Sequence, residues 1–321
     1  MPETDLKSVT LLIEGKMHPH ALARLKDRFT IVQGDADNAS ASGTIQAIAA
    51  AGKVDAALID SLPGLEIVSS FGVGYDHVDA KHAATRNVVV TNTPDVLTDE
   101  VADTAIGLLI NAVRELPKAE QWLRDGRWVG EGPYRLTNGT LRGRRVGIFG
   151  MGRIGLAIAK RIEAFGLPVS YHNRRQVEGV SYAYFDSLVE LAANVDTLIS
   201  VAPSTPQTQK AVNAEILKEL GPKGVFVNIG RGNTVDEEAL AAALHEGTIQ
   251  AAGLDVFEDE PNVPQALVDA PNASLLPHVG SATVHTREAM ADLVVDNLIA
   301  WFSRGEALTP VSETAALAKR K

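Results

Sequence analysis

One stretch constrains the fold of this chain more than any other: Arg144-Arg145-Val146-Gly147-Ile148-Phe149-Gly150-Met151-Gly152-Arg153-Ile154-Gly155. A short apolar run of β character feeds directly into Gly-x-Gly-x-x-Gly, and apolar residues at helical spacing follow in Leu156, Ile158, Ala159, Ile162 and Phe165. Strand, tight turn and helix in that order are the pattern of a dinucleotide-binding unit. In that reading Gly150 permits the turn, Gly152 lets the backbone approach a pyrophosphate, and Gly155 lets the helix pack closely on its strand. Negative charge would be held by free N–H groups at the positive end of a helix starting near Gly152, and no acidic residue stands in that first turn. An isolated match of this kind also occurs as a plain tight turn, so its surroundings decide.

The chain has 321 residues, more than one core normally fills, which points to two domains. With 45% hydrophobic and 22% charged residues it reads as globular, and its longest apolar runs are interrupted by Asn111, Arg114 or Glu115 before they could span a membrane. Met1 to Lys16 holds only the short apolar run Val9 to Ile13 and no secretory pattern. The absence of cysteine excludes disulfides and thiolate metal sites and fits a cytoplasmic protein; no metal is expected. A net charge of −10 argues against general nucleic-acid binding, while a local basic cluster can still serve a single phosphate.

Between Val9 and Val90, β-rich runs alternate with short helical stretches: Val9 to Ile13, Phe29 to Val32, Thr44 to Ala49, Glu66 to Ser70 and Val88 to Val90. This is the pattern of a small parallel α/β domain. Within it, Phe71-Gly72-Val73-Gly74-Tyr75-Asp76 places two glycines after a strand. Its N–H groups can cradle an anion, although chain reversal alone also accounts for the glycines. A helix is expected from Val101 to Leu116, capped by Thr98 or Asp99 and stopped before Pro117; its apolar residues run nearly all round, as in a helix lying between domains. Gln121 to Thr140, with Trp122, Trp128 and Tyr134, reads as a long ordered loop whose aromatics pack onto a partner subunit. Further β-rich runs at Pro168 to His172, Val195 to Val201, Val225 to Ile229, Gln250 to Val256 and Ser274 to Leu276 complete a doubly wound parallel sheet. Apolar residues from Met290 to Phe302 recur at helical spacing in a segment that can return to the first domain, and the tail Ala315 to Lys321 is expected to fray.

Ligands of such sheets bind beyond the carboxyl ends of the strands, where Arg231, Glu260 and His278 follow three of these runs. Taken singly, a surface arginine, a solvated acidic loop and a structural histidine account for them. Taken together, they supply what hydride reduction of a ketone requires. Arginine offers a bidentate fork to a carboxylate, histidine can protonate a developing alkoxide, and a neighbouring carboxylate favours the charged imidazole.

The ordered set Phe71 to Gly74, Gly150 to Gly155, Asn228-Ile229-Gly230-Arg231-Gly232, Gly253 to Pro261 and Pro277-His278-Val279-Gly280-Ser281 resembles the D-isomer-specific 2-hydroxyacid dehydrogenase family over nearly the whole chain. The resemblance implies a Rossmann-type doubly wound α/β domain, 99–286, and a smaller flavodoxin-like α/β substrate domain formed from 1–98 and 287–321. By position, Arg231 resembles the arginine that binds the substrate carboxylate and polarises the carbonyl, Glu260 the acid paired with histidine, and His278 the general acid and base. The N–H groups of Val73 and Gly74 resemble those that grip the carboxylate, with Ser281 also on the substrate side. Asp255 resembles the residue holding the nicotinamide carboxamide; Ile229, Gly230 and Gly280, with Gly150, Met151, Gly152, Arg153, Ile154 and Gly155, fall at cofactor positions. A glutamine stands at the position of Glu260 in the formate-oxidising branch, which disfavours that branch. The lack of a long extension after Pro310 likewise argues against the allosteric phosphoglycerate-oxidising branch. The chain is most similar to glyoxylate and hydroxypyruvate reductases, including the plant-type hydroxyphenylpyruvate reductases, on the stretches Leu220 to Val225 and Val279 to Thr283. The resemblance also implies a homodimer acting on a small 2-oxo acid. Dinucleotide-sensing corepressors share the fold, but the acidic balance and the lack of low-complexity arms disfavour that alternative.

The cofactor is read from the turn after the second strand of the dinucleotide unit. An acidic residue there, about 20 residues past the glycines, bonds the ribose hydroxyls in NAD-specific proteins. Here Asn173 lies 173 − 150 = 23 residues after Gly150, Arg174 and Arg175 follow, and no carboxylate comes before Glu178. Guanidinium forks suit a 2′-phosphate, so NADPH is expected, with NADH the weaker alternative.

Overall fold

The computed structural model describes residues 6–33 and 43–320; the first five residues of the N-terminal stretch and Lys321 lie outside them. Two units are present, Met1–Leu97 with Ala282–Lys321, and Thr98–Ser281.

The first unit is built on a parallel sheet of five strands: β1 (Thr10–Glu14), β2 (Thr30–Gln33), β3 (Ile45–Ala50), β4 (Ile67–Ser70) and β5 (Val89–Thr91), in the order β2-β1-β3-β4-β5. That is the flavodoxin-like order. Successive side chains of a strand point to opposite faces, so Leu11, Ile13, Ala47, Ala49, Ile67 and Val89 enter one core while Leu12, Ile48, Ala50, Val68 and Val90 enter another. Burial on both faces explains why these strands read as continuous apolar runs. Helices Pro19–Arg28 and Val284–Arg304 cover the first face, contributing Ala21 and Leu25, and Ala291, Val294, Leu298 and Trp301. The long helix is tied to β4 by Ser69 Oγ, which donates to the Val294 carbonyl at 3.0 Å, and this makes the unit discontinuous. The chain leaves the second unit at 281/282, five residues before the expected 286/287, because Thr283 caps a helix that begins at Val284. A break at 286/287 would divide its first turn. The tail is also held rather than frayed up to Arg320: Ala307 N–H donates to Ala318 O at 2.8 Å, and Arg320 N–H to Gly305 O at 2.7 Å.

The second unit carries β6 (Val146–Phe149), β7 (Val169–His172), β8 (Ala183–Phe185), β9 (Thr197–Ser200), β10 (Val225–Asn228), β11 (Ala251–Leu254) and β12 (Ala273–Leu275). All are parallel, in the order β12-β11-β10-β9-β6-β7-β8. The order reverses between β6 and β9, a topological switch point of the kind beside which dinucleotides bind. The edge strand β8 was not foreseen; it has three residues, none buried.

The helix Thr98–Arg114 starts on Thr98 itself, so Thr98 and Asp99 lie in its first turn rather than capping it from outside. It packs on the helix Arg153–Ala164 and against β10 and β11, and Gly253 allows the approach, since a Cβ there would stand 3.1 Å from the Leu108 carbonyl. The region expected to be a loop contains two helices, Leu116–Arg124 and Arg127–Glu131. Pro117 does not end a helix but opens one, a position where its missing N–H costs nothing. Ion pairs four residues apart, Glu120 with Arg124 and Arg127 with Glu131, support helices that bury no residue.

Candidate active site

At the end of β6, Gly150 takes a φ of +106°, and a Cβ on it would stand 2.9 Å from the Ala202 amide nitrogen. A Cβ on Gly155 would stand 2.3 Å from the Gly150 carbonyl oxygen, so the helix lies directly on the turn. Gly152 differs: a Cβ there would point into open space. That glycine is not required by the protein's own packing, and the space it leaves adjoins the start of the helix Arg153–Ala164, which has no side-chain cap and no acid in its first turn. A pyrophosphate fits such a cradle, because N–H groups and the helix dipole both favour an anion there.

The turn is braced from β7. Asn173 Oδ1 accepts the Met151 N–H at 2.6 Å, a role the sequence did not reveal because the two residues are 22 positions apart. Arg174 and Arg175 follow, both exposed, as is Glu178, the first carboxylate after them.

Three neighbouring strand ends carry the reactive side chains. Beyond β10, Gly230 N–H donates to Asn228 Oδ1 at 3.1 Å, and the Arg231 carbonyl accepts from Asn228 Nδ2 at 2.9 Å and Thr234 Oγ1 at 2.7 Å. This shapes the loop from which Arg231 projects, with its Nη1 2.8 Å from the Gly230 carbonyl. Beyond β11, Asp255 is buried and its two oxygens accept the N–H groups of Val279 and Gly280 at 2.7 and 2.8 Å. Burial raises its pKa, against the lowering effect of these two bonds. Asp255 therefore anchors the loop after β12, on which His278 adopts a φ of +52°, a conformation uncommon for a side-chain-bearing residue. The Asp255 carbonyl also accepts the His278 N–H at 2.9 Å. Ile229 and Ser281 are buried beside these turns, and Gly280 leaves no room for a Cβ, which would stand 2.8 Å from Asp255 Oδ2.

His278 and Glu260 meet. Nδ1 of the imidazole lies 2.7 Å from Glu260 Oε2, while Glu260 Oε1 accepts the Phe257 N–H at 3.0 Å. A carboxylate on Nδ1 directs the proton of the ring and supports its charged form, leaving Nε2 for another partner. Both side chains are partly exposed, as a proton donor to a small substrate must be.

Val73 and Gly74 belong to the first unit. Gly72 N–H donates to Thr93 Oγ1 at 3.1 Å, and Asn92 Nδ2 to the Val73 carbonyl at 2.8 Å. Among the described residues these bonds do not draw on the N–H groups of Val73 or Gly74. No group of three or more His, Asp or Glu among the described residues is arranged for a metal ion, and no helix is long and apolar enough to cross a membrane.

Comparison with known proteins agrees with this layout. Residues 106–280 match the D-isomer specific 2-hydroxyacid dehydrogenase, NAD binding domain. A hydroxyphenylpyruvate reductase from Plectranthus scutellarioides is 54% identical over 80% of this chain and 82% of its own length. A glyoxylate/hydroxypyruvate reductase from Arabidopsis thaliana is 51% identical over the same shares. The crystal structure of an NADPH-dependent glyoxylate/hydroxypyruvate reductase from Sinorhizobium meliloti, in complex with NADP and malonate, superposes with a TM-score of 0.94 at 58% identity, covering 98% of this chain and 99% of that one. Glycine cradle, paired histidine and carboxylate, and relatives alike place the chain in one group: it belongs to the D-isomer-specific 2-hydroxyacid dehydrogenase family.

Proposed function

We propose that this protein reduces small 2-oxo acids, glyoxylate and hydroxypyruvate foremost, to D-2-hydroxy acids with NADPH. The observation that carries the reading is the 2.7 Å contact of His278 Nδ1 with Glu260 beyond the strand ends that also present Arg231. A bound reduced nicotinamide supplies the hydride. The cofactor is held by the turn Gly150-Met151-Gly152-Arg153-Ile154-Gly155, by Asn173, Arg174 and Arg175 at the ribose and its 2′-phosphate, and by Ile229, Gly230 and Gly280. Asp255 retains lone pairs for the carboxamide beyond its two N–H bonds. Arg231 binds the substrate carboxylate and polarises the carbonyl, aided by the N–H groups of Val73 and Gly74 and by Ser281. His278 delivers its Nε2 proton to the carbonyl oxygen as charge develops there, and Glu260 sustains the imidazolium until it does.

The basic turn and the NADP-bound Sinorhizobium meliloti enzyme both support NADPH over NADH. Assay of glyoxylate, hydroxypyruvate, pyruvate and hydroxyphenylpyruvate with each cofactor tests the reading. Glyoxylate or hydroxypyruvate should have the highest kcat/KM; hydroxyphenylpyruvate in first place would assign the chain to the activity named for the Plectranthus relative, and no turnover at all would favour a dinucleotide-sensing binder.

The same proposal includes a homodimer. Leu116, Leu123, Trp128, Val129 and Leu136 are exposed along one segment, the last two at 96% and 94%, more apolar surface than an isolated protein keeps in one place. Sedimentation as a monomer at micromolar concentration would remove this part. A chain without cysteine fits the cytoplasm; cell fractionation finding it in another compartment would overturn that assignment.

A further inference from the structure

Behind the Arg231 loop, the helix Glu237–His245 is capped by Asp236, whose carboxylate accepts the Ala239 N–H at 3.3 Å. Glu237 takes no part in that cap. It is only 8% exposed, and its Oε1 accepts the N–H of Glu258 at 2.8 Å. Carboxylates are rarely buried without a specific partner, because losing water disfavours the ionised form. Here burial raises the Glu237 pKa, the bond from Glu258 opposes it, and the charges of Glu258 and Glu260 push it further up against Lys210. The fold thus keeps a group at this place that works against its own stability.

What Glu237 holds gives the reason. Glu258 follows Phe257, whose N–H donates to Glu260 Oε1, and precedes Glu260, whose Oε2 faces His278. On its other side the segment presses on Gly232, where a Cβ would stand 1.8 Å from the Phe257 carbonyl carbon and 2.3 Å from the Glu258 nitrogen. Gly232 is the next residue after Arg231. The segment bearing Glu260 is therefore clamped between the Arg231 loop and the Glu237 carboxylate.

We infer that Glu237 is a positioning residue: by accepting the Glu258 N–H it seats the 255–260 segment against Gly232 and keeps Glu260 aligned on His278. The inference rests on the roles proposed above for Glu260 and His278. Misplacing a supporting group by about 1 Å can cost about 10²-fold in rate, so Glu237→Ala should lower kcat by about 10- to 100-fold. The NADPH Kd, read by fluorescence titration, should stay within about 2-fold, because the phosphate cradle lies on other loops. Glu237→Gln keeps an acceptor oxygen and should restore kcat to within about 3-fold of wild type. In a Glu260→Gln background, Glu237→Ala should cost less than about 2-fold more, since there is no longer a carboxylate to align. Where the alanine variant does not fold, Glu237→Met fills the same space without an acceptor and is read the same way. Near-normal kcat in Glu237→Ala, failure of Glu237→Gln to rescue, or the full loss repeated in the Glu260→Gln background would each overturn the inference. An inactive wild-type protein would instead strike the proposed function itself.

Discussion

The two ends of the seven-stranded sheet are built on opposite terms. At the amino end, the Arg144 guanidinium is buried and fully engaged: Nε donates to the Thr140 carbonyl at 2.7 Å, Nη1 to the carbonyls of Asp196 and Lys223 at 2.9 and 3.1 Å, and Nη2 to Gln250 Oε1 at 3.0 Å. Those partners immediately precede β9, β10 and β11, so one side chain ties together the starts of four strands, its own included. Burial lowers its pKa and Asp196 opposes the shift, but its donors have polar partners. At the carboxyl end, charged groups stand partly exposed on glycine turns, and His278 occupies an uncommon backbone conformation. One end is organised for stability and the other for access, and substitutions should separate the two.

The largest separation is expected from His278→Ala. Loss of a positioned proton donor typically costs about 10²- to 10⁴-fold in kcat, while melting temperature and NADPH affinity should hardly change. A variant with near-normal kcat would remove His278 from the chemistry. Next comes the double change of Arg174 and Arg175 to uncharged residues. Each charge-assisted bond is worth about 1.5 to 3 kcal/mol, so kcat/KM with NADPH should fall by about two orders of magnitude or more while the value with NADH stays close to wild type. An equal loss with both cofactors would mean that the turn does not read the phosphate.

Arg144→Met is the converse test. Leaving several buried acceptors unpaired should destabilise the protein by about 3 kcal/mol in denaturant titration, with kcat per folded molecule unchanged. A normal midpoint would show that the amino end does not depend on this tie. The smallest effect is expected from Glu237→Gln on stability. Because burial raises the pKa of Glu237, the folded protein keeps this proton to higher pH than the unfolded chain does. Its contribution is complete below the unfolded carboxylate range, about pH 4, and is lost as pH rises through the folded value. The glutamine variant escapes that loss, so its stability should match the shape of the wild-type profile at low pH and exceed wild type at pH 7. Identical profiles throughout would contradict the burial argument.

How much of this was legible beforehand follows from the range of each interaction. Strands β6, β7, β9, β10, β11 and β12 are apolar runs bounded by turn residues, so local pattern located them, as it did the glycine turn and the positions of Arg231, Glu260 and His278. The exposed edge strand β8 has no such pattern. Pro117 was read as a stop because a proline after an apolar helix usually is one; here the chain turns at Glu115, at a φ of +53°, and starts another helix. Arg144 stood in the most informative stretch of the sequence without betraying its role, since its partners are carbonyls and an amide distant along the chain. Asn173, Asp255 and Glu237 were hidden similarly: each side chain accepts N–H groups from another loop, and no local spacing encodes that pairing.

The central claim, that the carboxyl end of this sheet is an NADPH-dependent 2-oxo acid reductase site, is tested most directly by initial rates of the wild-type protein with hydroxypyruvate and glyoxylate, using NADPH and NADH in parallel. Turnover of at least one of these acids, with kcat/KM higher for NADPH than for NADH, is the predicted result. Equal or better use of NADH would contradict the reading of Asn173, Arg174 and Arg175, and no consumption of either cofactor would contradict the site as a whole.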